Sequence, residues 1–175
     1  MINEYSKFIF VGGLHRSGTT LLYKCIGNHP EISIFSKTGA LMNEGQYLQS
    51  IYPTANQYGG PGRFGFKKHS FLTENSPLSN QKNAKTLLSE WSKHWDISKS
   101  YFAEKSPPNI IRMRFLQSLF PNAYFIIICR HPIATSFAIQ KWVKPPLRKW
   151  LDRKLDSLIK HWVICHEQML FDSMH

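Results

Sequence analysis

The sequence predicts an α/β fold, a three-layer P-loop-like arrangement in which helices flank a central parallel sheet. Strand-like and helix-like segments alternate along the chain, an order typical of parallel sheets with right-handed crossovers. The clearest strand, residues 124–129 (YFIIIC), is apolar on both faces, which predicts a central position in the sheet. A loop bounded by glycines separates the first strand from the first helix.

The first three elements follow from local signals. An apolar run predicts a strand over residues 7–11, and the helix after the loop is predicted over about residues 18–28. The sequence GNHP at 27–30 ends this helix, because glycine, asparagine and proline are typical helix terminators. A short second strand is predicted over residues 32–35.

The later elements are defined by periodicity and by proline. Apolar residues on one face predict a helix over residues 81–94, and a short strand follows at 101–104. The sequence SPP predicts the start of a helix from 106 to about 120, since proline is favoured in a first helical turn. A further helix is predicted from Pro132 to about residue 142, and a last amphipathic helix has apolar positions between 151 and 170.

The chain has the length of one modest domain. Its 175 residues are 42% apolar, enough for a real core, and we treat residues 1–175 as a single domain. Residues 36–80 are rich in glycine, proline, asparagine, glutamine and tyrosine. This stretch is too long for a plain connection, so we expect an irregular insertion that acts as a lid or binds an acceptor.

The loop at residues 13–20 has the composition of an anion site. It fits the pattern G-x-x-x-x-G-T-T, and a strand that turns into a helix there aims unpaired N–H groups and a positive dipole end at one point. Arg16 adds a guanidinium that can bind two anionic oxygens. The other candidate binding residues are Gly13, Ser17, Gly18, Thr19 and Thr20. The alternative is an ordinary glycine-containing turn with an exposed arginine.

The loop differs from a Walker A loop at one position. Thr19 stands where a Walker A loop has the lysine that serves the β and γ phosphates of ATP. Two other cations, Lys105 and Arg130, come directly after predicted strands. Because ligands of parallel sheets bind beyond the carboxyl ends of the strands, we expect the loop, Lys105 and Arg130 to converge on one anion site.

Composition restricts the partners and the compartment. The formal charge of +11 favours anionic partners, although a basic soluble protein without such a partner is the alternative. The basic stretch at 141–154 contains Trp142 and Trp150 and could receive an acidic acceptor or nucleic acid; we favour a solvated helix face. Three widely spaced cysteines predict reduced thiols, and with no secretory signal or membrane-spanning run visible we expect a cytoplasmic location.

Several segments, in order along nearly the whole chain, resemble one family. They are GGLHRSGTT at 12–20, HPEIS at 29–33, NEGQ at 43–46, EKSPP at 104–108 and FIIICRHPI at 125–133. The set resembles the sulfotransferases that use 3′-phosphoadenylyl sulfate (PAPS), in particular their tyrosylprotein and bacterial branches.

The resemblance implies a chemistry and a set of roles. Family members move a sulfuryl group from PAPS to a hydroxyl or amine acceptor, release PAP, and need no metal. By resemblance, residues 16–20 hold the 5′-phosphate and the sulfuryl group, and Arg130 holds the 3′-phosphate. Lys105 would neutralise charge on the sulfuryl oxygens or the leaving phosphate. We expect an acceptor that carries a hydroxyl, such as a protein tyrosine, a glycan, a lipid or a small molecule, and we expect no nucleic-acid partner.

The sequence departs from the family pattern in two places. The family has a serine eight positions after its 3′-phosphate arginine, where this chain has Ala138. Ser136 is the candidate substitute, with an ordinary helix-face serine as the alternative. The tyrosylprotein branch has the glutamate that serves as general base soon after its first helix. At the corresponding position without gaps this chain has Ser36 and Lys37.

Glu44 is our candidate for the general base, and a solvated loop glutamate is the alternative reading of it. His15 is the second candidate base, and His69 is a weaker third.

The resemblance also implies that family members continue past this point, so we expect the domain to be incomplete at its C-terminus. Two other functions stay open at this stage. One is a P-loop nucleotide phosphotransferase or NTPase, although the Walker lysine and a Walker B acid are both lacking. The other is a non-catalytic domain that grips an anion or nucleic acid by charge.

Overall fold

A computed structural model describes residues 2–143 and 153–175. Four parallel strands form one sheet in the order β2-β3-β1-β4. Their bounds are Lys7–Gly13 for β1, Ile32–Ser33 for β2, Tyr101–Lys105 for β3 and Ala123–Ile128 for β4.

Five α-helices lie in the described ranges. Their bounds are Thr19–Ile26 for α1, Gln81–Trp91 for α2, Met113–Leu119 for α3, Pro132–Trp142 for α4 and Leu155–Ser173 for α5. The helix predicted from residue 106 to about 120 is divided into a 3-10 helix, Pro107–Ile111, and α3. The break lies at Arg112, whose φ of −136° leaves the helical region.

The α/β fold with a parallel sheet is confirmed, but the predicted central position of residues 124–129 is wrong. Within the described residues β4 pairs with β1 alone and lies at the edge of the sheet, with its side chains half-buried or exposed. The inner strands are β1 and β3. Apolar residues on both faces of a strand predict that other elements pack above and below it. They do not predict how many neighbouring strands it is hydrogen-bonded to.

The alternation of β1 divides the core between the two faces of the sheet. Phe8 and Phe10 belong to a large aromatic cluster on one face. Ile9 and Val11 belong to a smaller cluster on the other face, with Tyr23 of α1. Because both faces of β1 are covered, the strand is rigid where it ends at the glycine loop.

Residues 36–80 have no long helix or strand and contain five short 3-10 helices. Buried side chains tether this segment to the domain: Arg112 donates to the carbonyls of Pro53 and Ser70, Arg153 to those of Gly59 and Pro61, and His161 accepts from the N–H of Gly65. The predicted irregular character agrees with this description. A role as a lid or acceptor site stays a prediction.

Lys144, Arg148, Lys149, Trp150 and Leu151, which belong to the predicted basic stretch or to the last amphipathic pattern, lie outside the described residues. No helix in the two described ranges combines the length and the apolar character needed to cross a membrane.

Candidate active site

The loop between β1 and α1 has the backbone of an anion cradle. Gly13, Arg16 and Gly18 all have positive φ, at 144°, 68° and 112°. A Cβ on Gly13 would meet the carbonyl of Ile128 on β4 at 2.7 Å, so glycine is required there. Gly18 caps α1 without a side-chain hydrogen bond, and the first turn holds no acidic residue. The N–H groups of that turn are therefore available to an anion.

The loop hydroxyls are arranged in two ways. The Ser17 hydroxyl donates to the Leu14 carbonyl at 2.6 Å, and the Ser17 N–H donates to the same oxygen at 3.1 Å, so this residue closes the loop on itself. The Thr20 hydroxyl instead lies 3.4 Å from the Lys105 ammonium. A role for Ser17 in binding an anion stays a prediction.

A cavity of about 260 Å³ lies where the loop meets the ends of the other strands. Its lining includes His15, Arg16, Gly18, Thr19 and Thr20 from the loop, together with Glu44, Arg130 and Trp142. Residues from three distant parts of the sequence therefore share one small space. The strand order predicts that the loop, Lys105 and Arg130 converge: the loop and Arg130 both line the cavity, and the Lys105 ammonium lies 3.4 Å from the Thr20 hydroxyl without lining it.

Lys105 and Glu44 form a buried ion pair beside this cavity. The ammonium lies 2.9 Å from the Glu44 carboxylate, and the two side chains are 0% and 7% exposed. Lys105 also donates to the Met42 carbonyl at 3.2 Å. The second carboxylate oxygen of Glu44 accepts from the Gln46 amide at 2.5 Å.

The environment of Glu44 suits a proton acceptor. Burial raises the pKa of its carboxyl, while the charge of Lys105 and the two hydrogen bonds oppose that rise. A carboxylate with a raised pKa is a stronger base than an exposed one. Met42 and Asn43, just before it, have φ values of 53° and 50°, a strained conformation for residues with side chains.

Arg130 lies exposed at the mouth of the cavity. Its guanidinium donates to the Arg16 carbonyl at 2.8 Å, so it is held against the glycine loop. Its own carbonyl accepts from the Trp162 indole on α5 at 2.9 Å. Arg130 is thus held by the glycine loop through its side chain and by α5 through its backbone, and its guanidinium keeps further N–H groups for an anion.

Ser136 is not brought to the cavity. It is buried on α4 at 1% exposure and is absent from the lining. A contact between Ser136 and a 3′-phosphate stays a prediction.

The two candidate histidine bases differ in position. His15 is buried beside Phe64 and Trp142, and burial, with nearby His161, Lys105 and Arg153, lowers its pKa to about 3. It is therefore uncharged at neutral pH and a weaker base than Glu44. His69 is exposed on the 36–80 segment and is absent from the lining.

The sequence analysis gave Trp142 and Glu104 no role in the candidate site, and it also missed the lining residues Met42 and Pro107. Trp142 lines the cavity, with its ring centroid 5.6 Å from the Arg16 guanidinium. Glu104 is fully buried one position before Lys105. The sequence held no local signal for Trp142, because its approach depends on how α4 crosses the loop. Glu104 could have been found as a charged residue inside a buried strand.

The described residues contain no group of three or more histidine, cysteine, aspartate or glutamate side chains that could hold a metal ion.

Comparisons with known proteins agree with the motifs. The sequence profile of a family described as the sulfotransferase family matches residues 9–175.

Two curated relatives carry the same chemistry in their names. "Protein-tyrosine sulfotransferase 1" of Danio rerio is 26% identical over 128 residues, which cover 73% of this chain and 34% of that protein. "Protein-tyrosine sulfotransferase 2" of Gallus gallus is 26% identical over 130 residues, which cover 73% of this chain and 33% of that protein. The chain therefore spans about a third of the length of these relatives.

Proposed function

We propose that this chain, which belongs to the sulfotransferase family, transfers a sulfuryl group from PAPS to a hydroxyl acceptor. One observation carries the proposal: the buried Lys105–Glu44 ion pair, with its two partners 2.9 Å apart, lies beside the cavity of the glycine loop. A cation for a developing oxyanion and a base for an incoming hydroxyl are the two groups that in-line transfer to an alcohol requires.

The donor set fits an anionic cofactor. The loop offers free N–H groups, and Arg16 and Arg130 add two guanidiniums. Among the described residues that line the cavity, Glu44 is the one acid, and it is already paired with Lys105. Glycine at position 13 lets the loop backbone pass close to the Ile128 carbonyl of β4. When bound, PAPS supplies the sulfuryl group and departs as PAP.

Each residue of the candidate site then has one task. Residues 16–20 bind the 5′-phosphate and sulfuryl oxygens, and Arg130 binds the 3′-phosphate. Lys105 neutralises the negative charge that grows on the transferred and leaving oxygens. Glu44 accepts the hydroxyl proton of the acceptor at its carboxylate.

The acceptor class follows from the relatives. Both are named as protein-tyrosine sulfotransferases, and we extend a hydroxyl acceptor such as a protein tyrosine to this chain. Glycan, lipid and small-molecule hydroxyls, and amines, belong in the same acceptor screen.

The experiment is titration calorimetry of the purified chain with PAP, with ATP plus Mg²⁺ as the comparison. We expect PAP to bind without added metal and more tightly than ATP. Arg16→Ala should weaken PAP binding, and the matched control is Arg114→Ala, which removes a half-buried arginine of α3 that pairs with Glu74 away from the cavity. A folded chain that ignores PAP, or prefers ATP with Mg²⁺, would contradict the proposal.

A further inference from the structure

The strand residue before Lys105 carries a second buried carboxylate that the proposed chemistry does not use. Glu104 is fully buried and accepts three hydrogen bonds: from the Gly45 N–H at 2.9 Å, the Ser106 hydroxyl at 2.6 Å and the Asn109 amide at 2.6 Å. Burial raises its pKa to about 7, and the bonds from Ser106 and Asn109 oppose the rise. A buried carboxylate is costly, so three donors aimed at one group indicate a specific task.

The donors lead directly to Glu44. Gly45 is its neighbour in the chain, and the Gln46 N–H donates to the Ser106 hydroxyl at 2.9 Å. The Gln46 side chain in turn donates to the Glu44 carboxylate. Glu104 therefore holds the main chain after Glu44 both directly and through Ser106.

Gly45 is shaped for this contact. A Cβ at that position would overlap the Glu104 carboxyl, so the backbone approaches as closely as it does only because no side chain intervenes. On the other side of the same residue, the Trp91 indole donates to the Gly45 carbonyl at 3.1 Å.

Two consecutive residues of β3, Glu104 and Lys105, thus bind the loop at Glu44 and Gly45 from opposite faces of the sheet. Successive side chains of a strand point to opposite faces, which lets Glu104 hold the Gly45 backbone while Lys105 meets the Glu44 carboxylate. We infer that Glu104 is a positioning residue, which fixes the Gly45–Gln46 backbone so that the Glu44 carboxylate lies against Lys105. The catalytic consequence rests on the proposed function, and the placement of Glu44 does not.

The test is Glu104→Gln. The amide keeps the size of the side chain but has a single acceptor oxygen, so at least one of the three donors loses its partner. We expect kcat to fall roughly 10–100-fold, because small misplacements of a base have effects of that size. The Kd for PAP should stay within about twofold, since Glu104 is absent from the cavity lining.

Glu90→Gln is the matched control. Glu90 also ties the 36–80 segment to the domain through a carboxylate, accepting from the Ser50 N–H at 2.9 Å and the Ser50 hydroxyl at 2.7 Å. It touches none of the bonds around Glu44, so kcat should be unchanged. Adding Glu104→Gln to Glu44→Gln should lower kcat little further, because the carboxylate that Glu104 positions is already absent.

A second readout works without turnover. Carbon-13 NMR titration of the Glu44 carboxyl should show its midpoint moving to higher pH in Glu104→Gln, because the carboxylate loses its contact with Lys105, and staying in place in Glu90→Gln. If the wild-type chain transfers no sulfuryl group, the proposed function fails and this titration still decides the inference. Ser106→Ala removes the hydroxyl that links the Glu104 carboxylate to the Gln46 N–H. It should shift the Glu44 midpoint in the same direction but by less, and it replaces Glu104→Gln if that variant does not fold.

The inference is overturned if Glu104→Gln leaves both kcat and the Glu44 midpoint as in wild type. It is equally overturned if PAP affinity falls in step with kcat, or if the two substitutions lower kcat additively.

Discussion

At the scale of single residues, Lys105 connects the glycine loop to Glu44 in the 36–80 segment. Its ammonium donates to the Glu44 carboxylate, to the Met42 carbonyl and to the hydroxyl of Thr20 in the glycine loop. An anion that draws the ammonium toward the loop weakens its hold on Glu44. Glu44 then binds a proton more readily, because a nearby positive charge is what keeps a carboxyl ionised. Binding of the anion would thus strengthen the base.

Lys105→Ala should therefore reduce turnover severely. We expect kcat to fall by roughly 10²–10³-fold, the usual effect of losing one donor to a developing oxyanion. The substitution also leaves Glu44 buried without its cation, which costs stability by about 3–5 kcal/mol. Adding Glu44→Gln should recover most of that stability in urea unfolding and none of the turnover. Turnover within a few-fold of wild type for Lys105→Ala would remove Lys105 from the mechanism.

Arg130→Ala tests the assignment of the 3′-phosphate. PAP and AMP differ only in that phosphate, so the variant should lose affinity for PAP and keep its affinity for AMP. A charge-assisted contact of this kind is worth about 1.5–3 kcal/mol, or roughly 10–100-fold in Kd. Calorimetry with both ligands measures the difference, and Arg114→Ala is the control. Equal losses for PAP and AMP would mean that Arg130 supports the loop through the Arg16 carbonyl alone.

Candidate site residues that belong to short motifs could be named from the sequence, and those that meet only through the fold could not. Arg16 lies in the loop after β1 and Lys105 is the last residue of β3, so their positions could be predicted from strand order. Glu104 and Trp142 acquire their importance from Gly45 and Arg16, which lie 59 and 126 positions away in the chain. No local pattern reports such contacts.

At the level of elements, the 36–80 segment depends on side chains of the domain for its shape. Arg112 stands where the 3-10 helix gives way to α3 and is 1% exposed. Its guanidinium donates to the Ser70 carbonyl at 3.2 Å and the Pro53 carbonyl at 3.0 Å. One residue thus joins two distant turns of the segment.

Arg112→Ala should loosen that segment. Two carbonyls lose a charged donor and a large buried side chain leaves a void, so we expect the free energy of unfolding to fall by about 2–4 kcal/mol. Hydrogen exchange should accelerate most around residues 53–70. Arg114→Ala, two positions along, removes a half-buried guanidinium that pairs with the exposed Glu74, and it should have a much smaller effect. Equal effects of the two substitutions would show that Arg112 does not tether the segment.

The elements also show where prediction from sequence ends. Strands and helices with strong periodicity or a proline start, such as α4, begin and end close to the predicted residues. The edge position of β4 and the division at Arg112 were missed, because both are decided by neighbours in space. The 3-10 helices of residues 36–80 have no periodic signal, so only their irregularity could be predicted.

For the whole molecule, the charge of +11 is distributed unevenly between surface and interior. Lys105, Arg112 and Arg153 are buried and bind protein carbonyls or Glu44, so their charges are used inside the fold. The exposed cations attract anionic ligands over a distance of about 10 Å at 0.1 M salt. A cytoplasmic location stays a prediction.

The stability of the whole domain should fall on acidification because two histidines are buried without charge. Burial lowers the pKa of His161 to about 3, and that of His15 to about 3. In the unfolded chain each would titrate near about 6.5, so below that pH the unfolded state binds more protons and stability falls as pH decreases toward 3. The buried Glu104 acts in the opposite direction between its ordinary pKa and about 7.

His161→Gln separates these effects, because Glu104 is common to both proteins. The glutamine oxygen can still accept the Gly65 N–H that the imidazole accepts at 3.0 Å. Urea unfolding at pH 7.5 and 5.0 should show wild type more stable than the variant at the higher pH and a smaller gap at the lower pH. A gap independent of pH would mean that His161 takes up its proton in the folded protein as readily as in the unfolded chain, and that its burial beside Phe64 and Cys165 does not oppose the charge.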